Sequence, residues 1–212
     1  MPLSLIIKKL EFIILIFSVL TLTDPLYAAE YPWQLKKTTE GISVYTRKVE
    51  GSPIIEFKAT MTVNAPLAKI IPIFEDPKGL TSWYYQCTHS ELVKDEGPQD
   101  KILYIVLHFP WPVTERDSVF MRSKSTDEKN LNVSYSIQAL PELIPVRKGK
   151  IRVLKINSLW RFTSLPDGKT EIYFRQHCNP GGSIPAFLVN VMSVDTPFNS
   201  LKTLRQLIMK AH

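Results

Sequence analysis

Alternation of apolar and polar residues is the main pattern along the middle of this 212-residue chain. It is clear at residues 42–47 and 57–63, and again at 103–108, 118–122 and 131–138. A period of two residues is typical of strands with one covered face and one wet face. Further strands are predicted at residues 149–156, 158–164 and 170–178, and residues 166–168 (Pro-Asp-Gly) signal a turn before the last of these. The pattern therefore predicts a long series of antiparallel strands.

Helical spacing replaces this alternation in three places. Residues 66–74, which begin with a helix-opening proline, predict one short helix, and residues 80–85 predict a second. Apolar stripes over residues 184–210 predict one long closing helix. Proline disrupts helices, so we expect Pro72 to kink or shorten the first helix and Pro197 to break or kink the last. The order of elements predicts one α+β domain, in which a strongly curved antiparallel sheet grips the C-terminal helix, with two short helices after the third strand.

The first 28 residues have the features of a targeting segment. Lys8 and Lys9 precede an apolar run at residues 12–22, and the small residues Ala28 and Ala29 follow it. This arrangement predicts a secretory signal peptide over residues 1–28 and a mature domain over residues 30–212. The alternative is an uncleaved membrane anchor. The apolar run favours a signal peptide over an anchor, because it is about half as long as the roughly 20 residues that a spanning helix needs. We expect export to the bacterial periplasm, with a secreted eukaryotic protein left open.

Composition narrows the range of partners. The formal charge is +6 and the pI about 9.2, which suits an anionic partner. The basic residues are scattered, so nucleic acid is not expected, whereas an anionic membrane surface is. The four histidines are isolated from one another, and neither a metal site nor a cofactor is expected. We expect a monomer.

Two blocks of sequence carry a family resemblance. Residues 109–119 read FPWPVTERDSV, and residues 179–190 read NPGGSIPAFLVN. With these blocks in this order and strands on both sides, residues 30–210 resemble the START family of lipid-binding domains, most closely its phosphatidylcholine transfer protein branch. The resemblance implies the helix-grip fold, a U-shaped antiparallel sheet with a tunnel roofed by the C-terminal helix. In that arrangement the strands of Cys87 and Cys178 lie far apart, so we expect two free thiols.

The resemblance also implies which side chains face the tunnel. Arg122 is the pointed polar candidate, because an arginine there could bind a phosphate or hydroxyl head group; the alternative is a strand-end arginine that reaches water. Arg116 and Asp117 point to opposite faces, and we interpret both as structural, fixing a turn or forming a buried ion pair. For each apolar position the alternative is ordinary core. The predicted ligand-facing residues are Leu103, Ile105, Leu107, Ser118, Phe120, Arg122, Leu131, Val133, Tyr135, Ile137, Phe187, Leu188, Val191 and Met192.

These positions leave the class of lipid open. Ile105 and Ser118 stand where the phosphatidylcholine transfer protein has its aromatic choline cage. A phospholipid, a fatty acid or a sterol-like molecule would each suit an apolar tunnel.

An apolar loop at residues 140–146, bracketed by prolines, is the candidate for membrane docking. We expect Leu143 and Ile144 to enter a bilayer while Lys202 and Arg205 meet anionic head groups, together with Lys210. The alternative is a loop packed on the body of the domain.

The expected function is therefore binding of a single hydrophobic ligand, for transfer or sensing, without covalent chemistry. One alternative is a regulatory or scaffold module controlled by ligand occupancy. The other is a helix-grip cyclase or hydrolase, for which His108, Asp117 and Arg122 could supply polar groups. The sequence has no nucleophile elbow, phosphate loop or paired-carboxylate motif that would favour such an enzyme.

Overall fold

A computed structural model describes residues 31–109, 111, 113–127, 129 and 131–211. The predicted signal peptide lies outside the described residues. The strands are β1 (Gln34–Thr39), β2 (Ile42–Val49), β3 (Ser52–Val63), β4 (Cys87–Asp95), β5 (Asp100–Leu107), β6 (Arg116–Asp127), β7 (Asn132–Ala139), β8 (Ile151–Arg152), β9 (Lys155–Ser164) and β10 (Thr170–Asn179). The helices are α1 (Leu67–Glu75), α2 (Leu80–Trp83) and α3 (Ala186–Lys210).

All ten strands belong to one sheet. Nine follow the order β1-β2-β3-β10-β9-β7-β6-β5-β4, each antiparallel to its neighbours, and β8 pairs parallel with β6 off that path. The last strand, β10, thus lies between β3 and β9 and links the three N-terminal strands to the rest of the sheet. Helix α3 packs against β2 and β3, with α1 and α2 also in contact with it. The predicted α+β helix-grip architecture, with two short helices after the third strand, is confirmed.

The segment predicted as one strand at residues 149–156 is two strands. The backbone N–H of Val153 donates to the Asp117 carbonyl at 2.9 Å, whereas that of Leu154 donates to the Asn179 carbonyl at 3.3 Å. The chain changes partners here from β6 to β10, and this switch separates β8 from β9.

Both helical prolines are accommodated, contrary to part of the prediction. Helix α3 runs unbroken through Pro197, which is buried against the sheet. Helix α1 includes Pro72 and continues to Glu75, and the Pro72 carbonyl accepts a bond from Asp76 N–H at 3.2 Å. Tertiary packing of the two helices outweighs the hydrogen bond that each proline removes.

The main core is aromatic and closely packed between the sheet and the helices. The rings of Trp160 and Phe174 stack at 3.8 Å, and Phe74 contacts Trp160 at 5.2 Å between ring centroids. A smaller core on the other face of β5 and β6 contains Ile102, Tyr104, Val106 and Val119. The middle of the grip is therefore filled by side chains. No helix in the described part of the chain is long and apolar enough to cross a membrane.

Candidate ligand-binding cavity

An open cavity of about 630 Å³, including its mouth, lies beneath the N-terminal half of α3. Most of its wall is apolar or aromatic, with a few polar groups. It is lined by Ile54, Ile55, Phe57, Tyr84, Tyr85, Gln86, Leu107, Phe109, Arg116, Val153, Gln176, Cys178, Pro180, Val189, Met192, Ser193 and Thr196.

The roof is one face of α3. Val189, Met192, Ser193 and Thr196 follow one another at steps of three, one and three residues, which places them on the same side of a helix. The Ser193 hydroxyl donates to the Val189 carbonyl at 3.0 Å, so its polar group is satisfied within the helix. The roof therefore presents little unsatisfied polarity to a ligand.

Aromatic rings close the inner end of the cavity. Phe57 lines it and packs edge-on against Phe174 at 4.9 Å between centroids. Tyr84 lines it as well, and its ring lies 6.4 Å from that of Phe174. The cavity thus stops at the filled aromatic core.

The two conspicuous sequence blocks meet at the cavity wall. Gly181 and Gly182 have φ angles of 70° and 66°, a region that glycine adopts without strain. A Cβ atom at Gly181 would lie 2.6 Å from the Arg152 carbonyl oxygen, and one at Gly182 would lie 3.4 Å from Arg116 Nη2. Close packing of this turn on β6 and β8 explains why the NPGG segment needs both glycines.

Arg116 brings a charge to this wall. Its side chain is 2% exposed, Nη1 donates to the Thr114 carbonyl, and Nε has no hydrogen-bond partner among the described residues. The Phe109 ring lies 5.9 Å from the guanidinium carbon. Burial lowers the pKa of Arg116 from its ordinary value.

Asp117, the next residue, faces the opposite side of the sheet and forms a buried ion pair. Arg152 Nε donates to one carboxylate oxygen at 2.8 Å and Nη2 to the other at 3.0 Å. Arg152 also donates to the carbonyls of Ile144 and Pro145, at 3.0 and 3.2 Å, and so holds the loop before β8. The structural role predicted for Asp117 has its physical basis in this pair.

Burial also disfavours ionisation of three other groups at or near the cavity. Burial raises the pKa of Cys178 to about 12 and that of Cys87 to about 11. Burial also raises the pKa of Tyr84 well above its ordinary value. Both cysteines are free thiols, as expected. The described residues contain no cluster of His, Cys, Asp and Glu that could hold a metal ion.

The sequence profile of the START domain matches residues 21–211. The chain belongs to the START domain family. An uncharacterized protein of Pseudomonas aeruginosa is 38% identical over 175 residues, covering 82% of this chain and 85% of the relative. The human phosphatidylcholine transfer protein is 25% identical over 176 residues, with 80% of each chain covered. A crystal structure of a STAR-related lipid transfer protein from Xanthomonas axonopodis superposes with a TM-score of 0.78 at 33% identity, covering 84% of this chain and 99% of that one.

Two of the predicted ligand-facing residues, Leu107 and Met192, line the cavity of this START domain. Five others lie on the predicted inner face but belong to the filled core: Leu103, Ile105, Phe120, Val133 and Tyr135. Ile137 is half-buried and packs against this core. Ser118 is also buried, and its hydroxyl has no hydrogen-bond partner in the described structure. Strand alternation therefore found the inner face but could not distinguish core from cavity.

The predicted ligand-facing stripe on α3 is wrong at three of its four positions. Phe187 and Val191 are 66% and 60% exposed, on the side of the helix away from the sheet. Leu188 is half-buried and does not line the cavity. The roof uses Ser193 and Thr196 instead, and their polarity hid that face from a hydrophobicity pattern. Leu131 is also exposed, because it lies in the turn before β7 with a φ of 50°.

Arg122 is not available to a head group in this structure. Nη1 donates to the Phe74 carbonyl at 3.0 Å and Nη2 to the Glu75 carbonyl at 2.8 Å, so the guanidinium caps the C-terminus of α1. Arg122 is buried, which also excludes the strand-end alternative. It borders a second, polar cleft of about 700 Å³, including open solvent, together with Glu75, Lys124 and Tyr135.

The predicted docking residues do not form one surface at the mouth. Leu143 is exposed, but Ile144 is half-buried and packs on the small core behind β5 and β6. Lys202 and Arg205 lie in the C-terminal half of α3, where both contact Glu40 in the β1–β2 turn at 2.7 and 3.3 Å. The cavity lies under the other half of the helix.

Proposed function

We propose that the protein binds one lipid in the cavity beneath α3 and carries it through water between membranes. The observation that carries the proposal is this apolar cavity in a START domain whose relatives include lipid transfer proteins. An acyl chain leaving a bilayer loses about 0.8 kcal/mol for each CH₂ exposed to water. Burial against Ile54, Val189 and Met192 removes that cost without any covalent step.

The chemistry of the cavity supports binding without catalysis. Its described lining contains no histidine, aspartate or glutamate that could act as a general base. Cys178 lines the cavity, and a pKa of about 12 leaves its thiol protonated at pH 7 and a poor nucleophile.

The same proposal assigns membrane contact to the mouth of the cavity. Phe187 and Val191 are exposed on the helix whose other face forms the roof. Trp111 is 93% exposed, two residues after Phe109 of the cavity wall. Exposed apolar side chains beside a lipid entrance suit a bilayer interface, and the excess positive charge suits anionic lipid.

Vesicle binding tests this assignment. The double variant Phe187→Asp, Val191→Asp should lose sedimentation with vesicles of phosphatidylglycerol and phosphatidylcholine. Leu143→Asp, which changes an exposed residue of the 140–146 loop, should retain it. The opposite result would return docking to that loop.

Export as a monomer, with residues 1–28 removed, completes the proposal. The basic start and short apolar run support cleavage, and the intact mass of the protein recovered from the periplasm tests it. A mass that includes residues 1–28 in the membrane fraction would favour an anchor instead.

Native mass spectrometry tests the carrier itself. The protein, expressed from its complete gene in bacteria and purified without detergent, should carry one added mass that solvent extraction removes. Met192→Trp fills the cavity from its roof and should abolish that mass. Gln206→Trp, a change of similar size at an exposed position of the same helix, should keep it. A ligand-free mass with no uptake from mixed vesicles would refute the carrier proposal.

A further inference from the structure

Three arginines in the described structure are almost completely buried, and two of them have a set of two or more hydrogen-bond partners. Arg152 is paired with Asp117 and donates to carbonyls of the neighbouring loop. Arg122 donates to two carbonyls at the end of α1, near the Glu75 carboxylate. Both positive charges are therefore stabilised by groups of the protein itself.

The third buried arginine, Arg116, has no such set. Among the described residues no carboxylate lies within ion-pair distance of it, and Nε lacks a hydrogen-bond partner. Glu115 precedes it in sequence but pairs with Lys150 and His108 on the outside. A guanidinium has five N–H donors in a planar fork, so most of the binding capacity of Arg116 is unused by the residues that the structure describes.

The side chain that carries these donors belongs to the cavity wall. Arg116 lines it with Phe109, Val153 and Pro180, and it is the one charged residue in the described lining. The alternation of β6 gives the same placement, because residues 116, 118, 120 and 122 share the inner face. A lone positive charge in an apolar cavity strongly favours an anion over a neutral or cationic group.

We propose that the ligand of this cavity carries an oxyanion, a carboxylate or a phosphate, that is bound by the guanidinium of Arg116. The inference rests on the proposed lipid-binding function and narrows it to acidic lipids. An oxyanion with two oxygens matches the guanidinium fork and supplies the missing counter-charge, whereas an alcohol supplies neither a charge nor a second acceptor. A quaternary ammonium head would meet a like charge, and the described lining offers no carboxylate to balance it.

Matched ligands of one acyl length test the inference on the full protein after its lipid has been extracted. Oleate and 1-oleoyl-lysophosphatidate supply the carboxylate and the phosphate, and oleyl alcohol and monoolein supply neutral heads of similar reach. Equilibrium dialysis below the aggregation limit of each lipid gives the dissociation constants. We expect at least one acid to bind roughly 10- to 100-fold tighter than the neutral pair, the range for a hydrogen-bonded charge. Whichever acid is preferred identifies the source of the oxyanion.

Variants assign the preference to Arg116. Arg116→Gln should bring the acids down to the affinity of oleyl alcohol and leave the alcohol itself unchanged. Arg116→Lys should restore part of the preference, because it keeps the charge but loses the fork. Arg161→Gln removes a charge from an exposed arginine of β9 and should change nothing. Because Arg116 is buried, its pairing with an oxyanion is screened much less than a surface pair, so the preference should also persist between about 0.05 and 0.5 M salt, unlike adsorption to surface charge.

The outcomes separate the two proposals. Binding of acids and neutral lipids with equal affinity to the wild-type protein would overturn the role of Arg116 and leave the lipid carrier intact. No binding of any of the four lipids would overturn both. If Arg116→Gln fails to fold, Arg116→Lys still decides the question, because an unchanged preference for acids in that variant would overturn binding by the guanidinium fork.

Discussion

Arg116 and Arg152 are neighbours across the short β6–β8 pairing, and they differ in how their charges are balanced. The pairing places Arg116 opposite Ile151 and Asp117 opposite Arg152. Both arginines are buried, at 2% and 6% exposure, but Arg152 has a carboxylate within 3.0 Å and Arg116 has none in the described structure. A buried charge is costly unless it is paired. A buried charge that serves the fold thus has its partner within the chain, whereas one without a partner indicates a place for a ligand.

Breaking the balanced pair should give the largest effect. Asp117→Asn leaves the Arg152 guanidinium buried without its counter-charge, and we expect the free energy of unfolding to fall by about 3–5 kcal/mol. Urea unfolding followed by circular dichroism measures it. Glu171→Gln, an exposed carboxylate on β10, should have little effect, and equal losses in the two variants would contradict the pairing argument.

A second test concerns the glycine turn that packs on both arginine strands. Gly181→Ala places a methyl group 2.6 Å from the Arg152 carbonyl in a left-handed backbone conformation. Gly51→Ala is the control: Gly51 has nearly the same φ, 69°, but a Cβ atom there would have nothing within 4 Å. Its loss of stability therefore measures only the cost of a left-handed backbone, about 1–2 kcal/mol.

We expect Gly181→Ala to lower the free energy of unfolding by at least about 1 kcal/mol more than Gly51→Ala does. Thermal unfolding of the two variants side by side gives the difference. Equal losses would show that the turn can move away from β8.

The sequence predicted the sheet and the three helices, because these depend on period and turn chemistry, and its two conspicuous blocks indicated the family. The inward orientation of Arg116 also follows from the sequence, since the alternation that turns Arg122 and Ser118 inward continues to residue 116. The partners of each arginine could not be predicted in the same way. Arg152 finds Asp117 through a parallel pairing, and Arg122 finds carbonyls of a helix some 47 residues earlier in the chain. These are tertiary contacts without a local signal.

The α3 roof shows the same limit. Hydrophobicity favoured Phe187 and Val191, but the helix turns its Ser193 and Thr196 side toward the cavity. Apolar residues lie both on the face of α3 above the cavity and on its exposed face, and a hydrophobicity pattern alone cannot tell which face covers the cavity.

The Glu75 carboxylate, at the end of the helix that Arg122 caps, gives a smaller, pH-dependent effect. Burial acts to raise the pKa of Glu75, but hydrogen bonds from Lys124 and Tyr135 outweigh it and lower the pKa. A lowered pKa in the folded state stabilises the protein above about pH 4.5, and that stability is lost as the pH falls through the folded value. Glu75→Gln should therefore reduce stability at pH 7 but bring less further loss between pH 5 and 3, measured by urea titration at each pH. Parallel curves for the two proteins would contradict this linkage.

The smallest effect on stability is expected at Arg116 itself. Arg116→Met in the lipid-free protein removes an unbalanced buried charge, so the free energy of unfolding should stay within about 1 kcal/mol of wild type or rise. Arg152→Met, the matched change at the paired site, should be clearly destabilising because it leaves the Asp117 carboxylate buried without its counter-charge. A loss at Arg116 as large as that at Arg152 would mean that both arginines serve the fold.

The ring wall at the inner end of the cavity gives the site a fixed depth. Phe57 and Tyr84 are backed by Phe174, which is stacked on Trp160, so the wall cannot yield without disturbing the centre of the protein. If the head group of a ligand is bound at one end and its chain meets these rings at the other, the site selects ligands by chain length. Across a homologous series of acyl chains, affinity should rise with each added carbon and then fall sharply once the chain exceeds the available depth.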